Sequence, residues 1–239
     1  MKFTKSLIKG KLVKRYKRFF TDIKINNELI VAHCPNTGSM MGLLDEGNEV
    51  FISKNDNPKR KLKYTLEIIK VKKNLVGVNT HFANKIAYHG LSNNLIKEVA
   101  NNDNIKPEVF FNKETRFDFL IEKNKQKIFV EVKNVTLFRS EKIAEFPDSV
   151  TSRGSKHLKT LIEAIKNGYK SYLLFLVQIQ GVENFKIAKD IDKEYYKNYL
   201  LAKKAGVIFL AYRCKINSKE IKIEKKIKII NDWLFRKIW

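Results

Sequence analysis

The chain has 239 residues, with 48 Lys and Arg against 25 Asp and Glu, a formal net charge of +23. At 44% hydrophobic and 11% aromatic residues it can bury real cores, which excludes intrinsic disorder. No stretch approaches the roughly 18 apolar residues of a membrane span, and the start at Met1 lacks the apolar core of a signal peptide. The expectation is a cytoplasmic protein with no membrane partner.

So large a positive charge repels itself unless a polyanion is the partner. It is densest in residues 1–80, where 17 Lys and Arg face 7 Asp and Glu, which points to a dedicated binding module there. Cys34 and Cys214 are far apart and form no CxxC pair, so neither a disulfide framework nor a zinc site is expected. His33-Cys34 has no further ligands nearby in sequence, and a reactive thiol is not expected.

Residues 1–80 read as short strands. Leu29, Val31 and His33 alternate with their neighbours, as do Val50 with Ile52 and Leu66 with Ile68. Asn26-Asn27 predicts a tight hairpin turn, because Asn tolerates positive φ. Further breaks fall at residues 35–38, 46–48, 56–58 and 73–74. Five or six strands in about 80 residues predict a small closed barrel of the oligonucleotide-binding type. Within it, Lys14-Arg15-Tyr16-Lys17-Arg18-Phe19-Phe20 interleaves cations with rings, as nucleic-acid binders do. Arg15, Tyr16, Lys17 and Arg18 are candidate contacts, with Lys59, Arg60 and Lys61 as a second basic cluster in a turn.

Near Ala83 the pattern changes. Residues 83–98 have patchy helical character, and 101–104 mark a turn. Strands are predicted at 117–121 and 127–133, joined by the polar turn 122–126. Leu158, Leu161, Ile162 and Ile165 fall at helical spacing and predict a helix over 155–167 that stops at Gly168, with Asp148 and Ser155 as candidate caps. The apolar run 172–178 reads as a strand covered on both faces. A helix over 192–205 follows, then a strand over 207–212. Strands alternating with helices imply a mixed or parallel sheet. Residues 218–239 predict an edge strand and a short helical tail.

The chemistry concentrates on Asp118, Glu131 and Lys133. Strand alternation places Glu131 and Lys133 on one face, and a hairpin brings Asp118 toward it. Two carboxylates suit a hard cation such as Mg²⁺ or Mn²⁺, and a lysine beside them suits an attacked phosphate or an attacking water. Charges embedded in such apolar strands are costly without a partner. Downstream, Arg153, Lys156 and His157 cluster at a predicted helix N-terminus, a natural place for phosphate.

These motifs together resemble the sugar fermentation stimulation protein family. The resemblance is carried by residues 15–19, the segment His33-Cys34-Pro35-Asn36-Thr37-Gly38-Ser39-Met40, residues 56–61 and residues 78–80. In the second half it is carried by Arg116-Phe117-Asp118-Phe119, Glu131-Val132-Lys133-Asn134-Val135-Thr136-Leu137, the segment 146–158 and Gly206-Val207. It runs collinearly from residue 7 to about 216.

It implies an α+β protein of two domains: an N-terminal barrel like the oligonucleotide-binding fold, and a C-terminal α/β domain of the PD-(D/E)xK nuclease type. The expected division is 1–82, 83–217, and a further segment 218–239 without counterpart. The resemblance also implies DNA binding, and the family's name points to regulation of sugar-use genes in bacteria. It matches Asp118, Glu131 and Lys133 to the nuclease signature and adds Glu108 as a further acidic position just before the first core strand. One departure is Tyr88-His89, where relatives tend to carry an acidic residue in the helix after Asn84.

The reading is therefore a DNA-binding protein, with duplex DNA as the expected partner and a Mg²⁺- or Mn²⁺-dependent phosphodiesterase site. A regulator that binds DNA without cutting is the rival, since nuclease folds are often kept for binding alone. RNA is a further alternative, because barrel modules accept single strands of either sugar. The sequence leaves the oligomeric state open, a homodimer included.

Overall fold

The computed structural model describes residues 1–230. Five strands, β1 (Ile8–Tyr16), β2 (Phe20–Ile25), β3 (Glu28–His33), β4 (Glu49–Lys54) and β5 (Tyr64–Val71), form a barrel. Antiparallel pairing joins β1 to β2 and β4, β2 to β3, and β4 to β5. A short parallel pairing of β3 with β5, Ala32 opposite Tyr64, closes the wall. This is the closed five-stranded barrel that the alternation predicts. Asn26 and Asn27 both have positive φ, 47° and 70°, the geometry a two-residue hairpin turn needs to follow the strand twist. Leu12, Ile23, Ala32, Val50, Ile52, Leu66 and Ile69 fill the interior and are fully buried. Strand β6 (Asn74–Gly77) pairs with β5 and leads away from the barrel.

The second unit begins with a 3-10 turn, Thr80–Phe82, and helix α1 (Ala83–Ser92). Strands β7 (Asn104–Phe110), β8 (Arg116–Lys123) and β9 (Gln126–Val135) form an antiparallel meander. Two short strands, β10 (Leu137–Ser140) and β11 (Ile143–Phe146), precede helix α2 (Ser152–Lys166) and β12 (Lys170–Val177). Then follow β13 (Asn184–Ile187), helix α3 (Lys193–Lys204), β14 (Ile208–Ile216), β15 (Ile221–Lys226) and β16 (Lys228–Ile229).

The main sheet has the order β15-β14-β12-β9-β8-β7. Its centre, β14-β12-β9, is parallel, and its flanks are antiparallel. Helix α1 covers one face and α2 with α3 the other, so the central strands are buried on both sides and read as unbroken apolar runs. Phe119, Val130, Leu174 and Leu176 pack toward α1, while Phe117, Phe129, Leu173 and Phe175 pack toward α2. Each such fully buried side chain contributes about 1.5–3 kcal/mol relative to exposure. The same apolar core continues into the barrel interior.

A second, four-stranded sheet, β10-β11-β13-β16, is absent from the sequence expectation. Its strands have four residues or fewer, and β11 and β13, like β13 and β16, lie far apart in the chain. The N-terminus also joins the second unit, where the Met1 amino group donates to Ile221 O at 2.7 Å.

The start of one helix differs from expectation. Helix α2 starts three residues early, because Thr151, not Asp148 or Ser155, is its cap: Thr151 Oγ1 accepts the N–H of Gly154 at 3.0 Å. Asp148 instead turns to the barrel, where its carboxylate packs against Gly38 and the neighbouring backbone of Ser39 and Met40. Gly168, with φ +82°, stops the helix as expected. The predicted edge strand is present as β15, while the predicted helical tail, with Trp233 and Trp239, lies outside the described residues. Cys34 and Cys214 are both free and buried.

Candidate functional site

The ladder between β8 and β9 runs from Lys123 opposite Gln126 to Phe119 opposite Val130 and stops there. Beyond that point β9 continues beside β12. Asp118 takes over where the ladder ends: its Oδ2 accepts the N–H of Val132 at 2.7 Å. Its Oδ1 accepts from Asn84 Nδ2, also at 2.7 Å, which ties it to the first turn of α1.

Glu131 lies on the adjacent strand and is only 3% exposed. The two-residue spacing places Lys133 on the same face, and Lys133 Nζ donates to Glu131 Oε1 at 2.8 Å. His157, from α2, directs Nδ1 to that same oxygen, while its Nε2 lies 3.5 Å from Arg153 Nε. A proton on Nδ1 suits the Glu131 contact, with Nε2 accepting from Arg153, while Lys133 Nζ lies 3.3 Å from the same Nδ1. Glu131 Oε2 is buried and has no hydrogen-bond partner. Such an atom costs about 1–3 kcal/mol unless something pairs with it.

The two carboxylates are electrostatically unequal. Burial, followed by the charge of Glu131, pushes Asp118 up to about 6; the Val132 N–H, Asn84 and Lys133 offset part of that rise. Burial also acts to raise Glu131, but Lys133 and His157 together outweigh it and hold Glu131 below the usual carboxylate range. Glu131 is the permanent anion of the pair, and Asp118 is the one that titrates toward neutrality.

Asp118 opens into a cleft of about 660 Å³ whose lining includes Asn84, Glu108, Arg116, Arg153 and Lys156. Glu108 lies within the edge strand β7, just ahead of β8, at the register position opposite Asp118 between the pairs Pro107–Phe119 and Val109–Phe117, and its φ is +55°. It is exposed at the mouth and paired with Arg116 Nη2 at 2.8 Å, and its Oε1 is 3.4 Å from Asn84 Nδ2. Among the described residues no group of three His, Cys, Asp or Glu side chains is gathered for a metal. The arrangement is two carboxylates with an unpaired oxygen, and Glu108 meets Asp118 across the amide of Asn84.

The expected phosphate contacts divide. Lys156 is exposed at the cleft and pairs with Glu114 at 2.9 Å, and Arg153 borders the same cleft. His157 also lines the cleft but is largely buried, with Nδ1 turned to Glu131. Its place on the apolar stripe of the helix, four residues before Leu161 and seven before Ala164, is the signal that marks it as inward-facing. Sequence reasoning misses Asn84 and also Tyr195, whose buried hydroxyl has no partner and feels the charge of Glu131. A helix's first turn and a core tyrosine carry no pattern that singles them out. At the departure noted in α1, Tyr88 is exposed and its ring lies over Phe119, and His89 is exposed beside it.

In the barrel, Lys17 and Arg18 form the exposed β1–β2 turn, both with positive φ. Tyr16 stacks on Phe20 with centroids 5.5 Å apart. Arg15 is not free for phosphate as expected. Its guanidinium donates to the carbonyls of Asn36 (2.6 Å), Gly38 (3.0 Å) and Ser39 (3.4 Å), and its Nε donates to Arg18 O (3.0 Å). Those donors clamp the 36–39 loop. Lys59 and Lys61 are exposed in the β4–β5 loop, and Arg60 Nη2 donates to Thr65 Oγ1 at 3.3 Å.

Comparison with known proteins agrees with both halves. The model of the "SfsA N-terminal OB domain" matches residues 13–78, and that of the "Sugar fermentation stimulation protein RE domain" matches 81–220. A sugar fermentation stimulation protein homolog of Pelagibacter ubique is 85% identical over 97% of this chain and all of its own. The homolog of Pseudoalteromonas atlantica is 44% identical over 96% of this chain and all of its own. The structure of Pyrococcus furiosus SfsA in complex with Ca²⁺ superposes with a TM-score of 0.86 at 25% identity, covering 97% of this chain and 98% of that one. The chain belongs to the sugar fermentation stimulation protein family.

Proposed function

We propose that the protein binds DNA in the cytoplasm and that its α/β domain holds a divalent cation at Asp118 and Glu131 for phosphodiester hydrolysis. In this reading residues 1–82 form the binding module, 83–217 the catalytic one, and 218–239 a supporting segment. The observation that carries it is the unpaired, buried Oε2 of Glu131, on the strand next to Asp118, which itself lines an open cleft. Two carboxylates with room for water suit Mg²⁺ or Mn²⁺, which keep several waters as ligands. The Ca²⁺ bound by the Pyrococcus relative is likewise a hard, oxygen-seeking cation and supports the same assignment. No helix among the described residues is long and apolar enough to cross a membrane.

Asp118 and Glu131 are the residues that would hold the cation, with Glu108 at the mouth to reorient toward it. When bound, such a cation supplies Lewis acidity toward a phosphate oxygen and lowers the pKa of water. Asn84 and the Val132 N–H orient Asp118, and His157 orients Glu131. Lys133, held by Glu131 Oε1, is positioned to stabilise negative charge on the attacked phosphate. Arg153 and Lys156 supply cations for the flanking phosphates, and the exposed Lys17, Arg18, Lys59 and Lys61 do so on the barrel.

A non-cleaving DNA-binding regulator is the second reading. It is favoured by the pairing of Glu131 Oε1 with Lys133 and His157 and by the want of a third gathered ligand among the described residues. The family name, which ties relatives to sugar fermentation, also accords with it. Incubating the purified protein with labelled single- and double-stranded DNA and RNA, with Mg²⁺, Mn²⁺ or chelator, separates the readings. Metal-dependent cleavage of DNA is expected. Binding without cleavage under either metal leaves the regulator, and no binding overturns both.

A further inference from the structure

The barrel rim and the carboxylates are joined through residues 79–84, and exposed rings stand at both ends of that segment. At the rim Phe19 is 45% exposed, and its ring stacks on His33 with centroids 6.5 Å apart and planes 13° from parallel. His33, partly buried, lies within electrostatic reach of Arg60, from the β4–β5 loop, and of His81, so the three side chains are grouped together. The turn bearing His81 is fixed to the barrel. Asn79 Oδ1 accepts the His81 N–H at 3.1 Å, Asn79 Nδ2 donates to Glu67 Oε2 at 2.8 Å, and Thr80 Oγ1 donates to Pro35 O at 2.6 Å.

Three residues after His81 comes Asn84, which holds Asp118. One turn further along α1 is Tyr88, 46% exposed, lying over Phe119 at 6.2 Å. Tyr88, Pro107 and Phe119 line a cavity of about 350 Å³ that shares Asn84 and Glu108 with the main cleft. This second cavity is the apolar neighbour of a charged site.

Duplex DNA offers such an arrangement little. Its base faces are already stacked inside the helix, so exposed rings would meet only sugar and phosphate. An unpaired strand presents both kinds of group: faces that stack on aromatic rings without regard to sequence, and phosphates for the cations between them. We propose that one unpaired DNA strand lies along this segment, its bases on Phe19, His33 and Tyr88 and its backbone led past Asn84 to Asp118 and Glu131. The substrate is then single-stranded DNA, or the single-stranded part of a tail or junction, where the sequence favoured the duplex. This rests on the DNA-binding reading and names the form of DNA within it.

The test uses the full chain, fluorescein-labelled oligothymidylates of roughly 4, 8 and 16 nucleotides, spanning the site sizes of a barrel binder, and a duplex of the longest length. Fluorescence anisotropy is read in chelator, so that nothing is cut. The variants are Phe19→Ala at the rim and Tyr88→Leu on α1, which keeps Phe119 covered while removing the ring; thermal melting verifies that both are folded. Affinity should rise with length, the longest single strand should bind at least tenfold tighter than the duplex, and each variant should weaken it by about tenfold, the scale of one lost base stack. Duplex binding as tight as single-strand binding overturns the proposal. So does a Tyr88→Leu variant that binds the longest strand like wild type. In both cases the DNA-binding reading stands. No binding of either form overturns that reading as well.

Discussion

Replacing Asp118 by Asn should stabilise the metal-free protein at neutral pH and do nothing of the kind in mild acid. The Asp118 carboxyl is raised from 3.8 to about 6 by burial and by Glu131. Below 3.8 both folded and unfolded chains hold the proton, and the group costs nothing. As pH rises, the unfolded chain releases its proton first, so the folded state is progressively penalised, and the penalty is complete above about 6. That gap corresponds to about 3 kcal/mol, at about 1.36 kcal/mol per pH unit. The amide that replaces the carboxylate keeps one of the two accepted hydrogen bonds and loses the other, an offset of about 1 kcal/mol. The net gain is about 2 kcal/mol, or a Tm rise of about 4–8 °C for a chain of this size. The assay is thermal melting in chelator at about pH 8 and about pH 4.5, on either side of the folded-state value. The gain should be present at the first pH and absent or reversed at the second. With Mg²⁺ at about ten times its Kd, the wild type should recover about 1.4 kcal/mol and the variant nothing. A variant whose difference from wild type is the same at both pH values would refute the electrostatic account of Asp118.

Other outcomes follow from the same geometry. Glu131→Gln should destabilise where Asp118→Asn stabilises, because it strips Lys133 and His157 of their shared anion; melting in the same alkaline buffer compares the two. Arg15→Ala should lower stability by about 1.5–3 kcal/mol through the lost carbonyl contacts, whereas Lys17→Ala with Arg18→Ala should leave Tm unchanged and weaken DNA binding. Thr151→Ala should cost about 1 kcal/mol by uncapping α2, measured by denaturant titration. With about five phosphates neutralised, the slope of log K against log salt on duplex DNA should be near −4 to −5, and a slope near zero would remove the electrostatic footprint.

Much of this architecture is legible in the residues because the signals are local. Alternation and the Asn26-Asn27 turn define the barrel strands, and the Glu131-x-Lys133 spacing alone puts two charges on one face. The same holds for the turn at Asn124 and Lys125, both at positive φ, which joins β8 to β9. What escapes the sequence depends on long-range packing. The small sheet is built from strands too short to show a period, with β11 meeting β13 some forty residues later. The role of Arg15 is set by a loop 21–24 residues away, and that of Asp148 by the same loop approaching from the other domain. Glu108 and Asn84 reach the cleft through an edge-strand position and a helix start, neither of which leaves a pattern. His157 belongs between these cases: its helical register is readable, but its partner is not.

The most direct test of the central claim is an anomalous difference map from crystals soaked in Mn²⁺. The account predicts a peak within coordination distance of both the Asp118 carboxylate and Glu131 Oε2, and its loss in the Asp118→Asn variant. A map with no peak there, or with Mn²⁺ bound elsewhere on the protein, would contradict it.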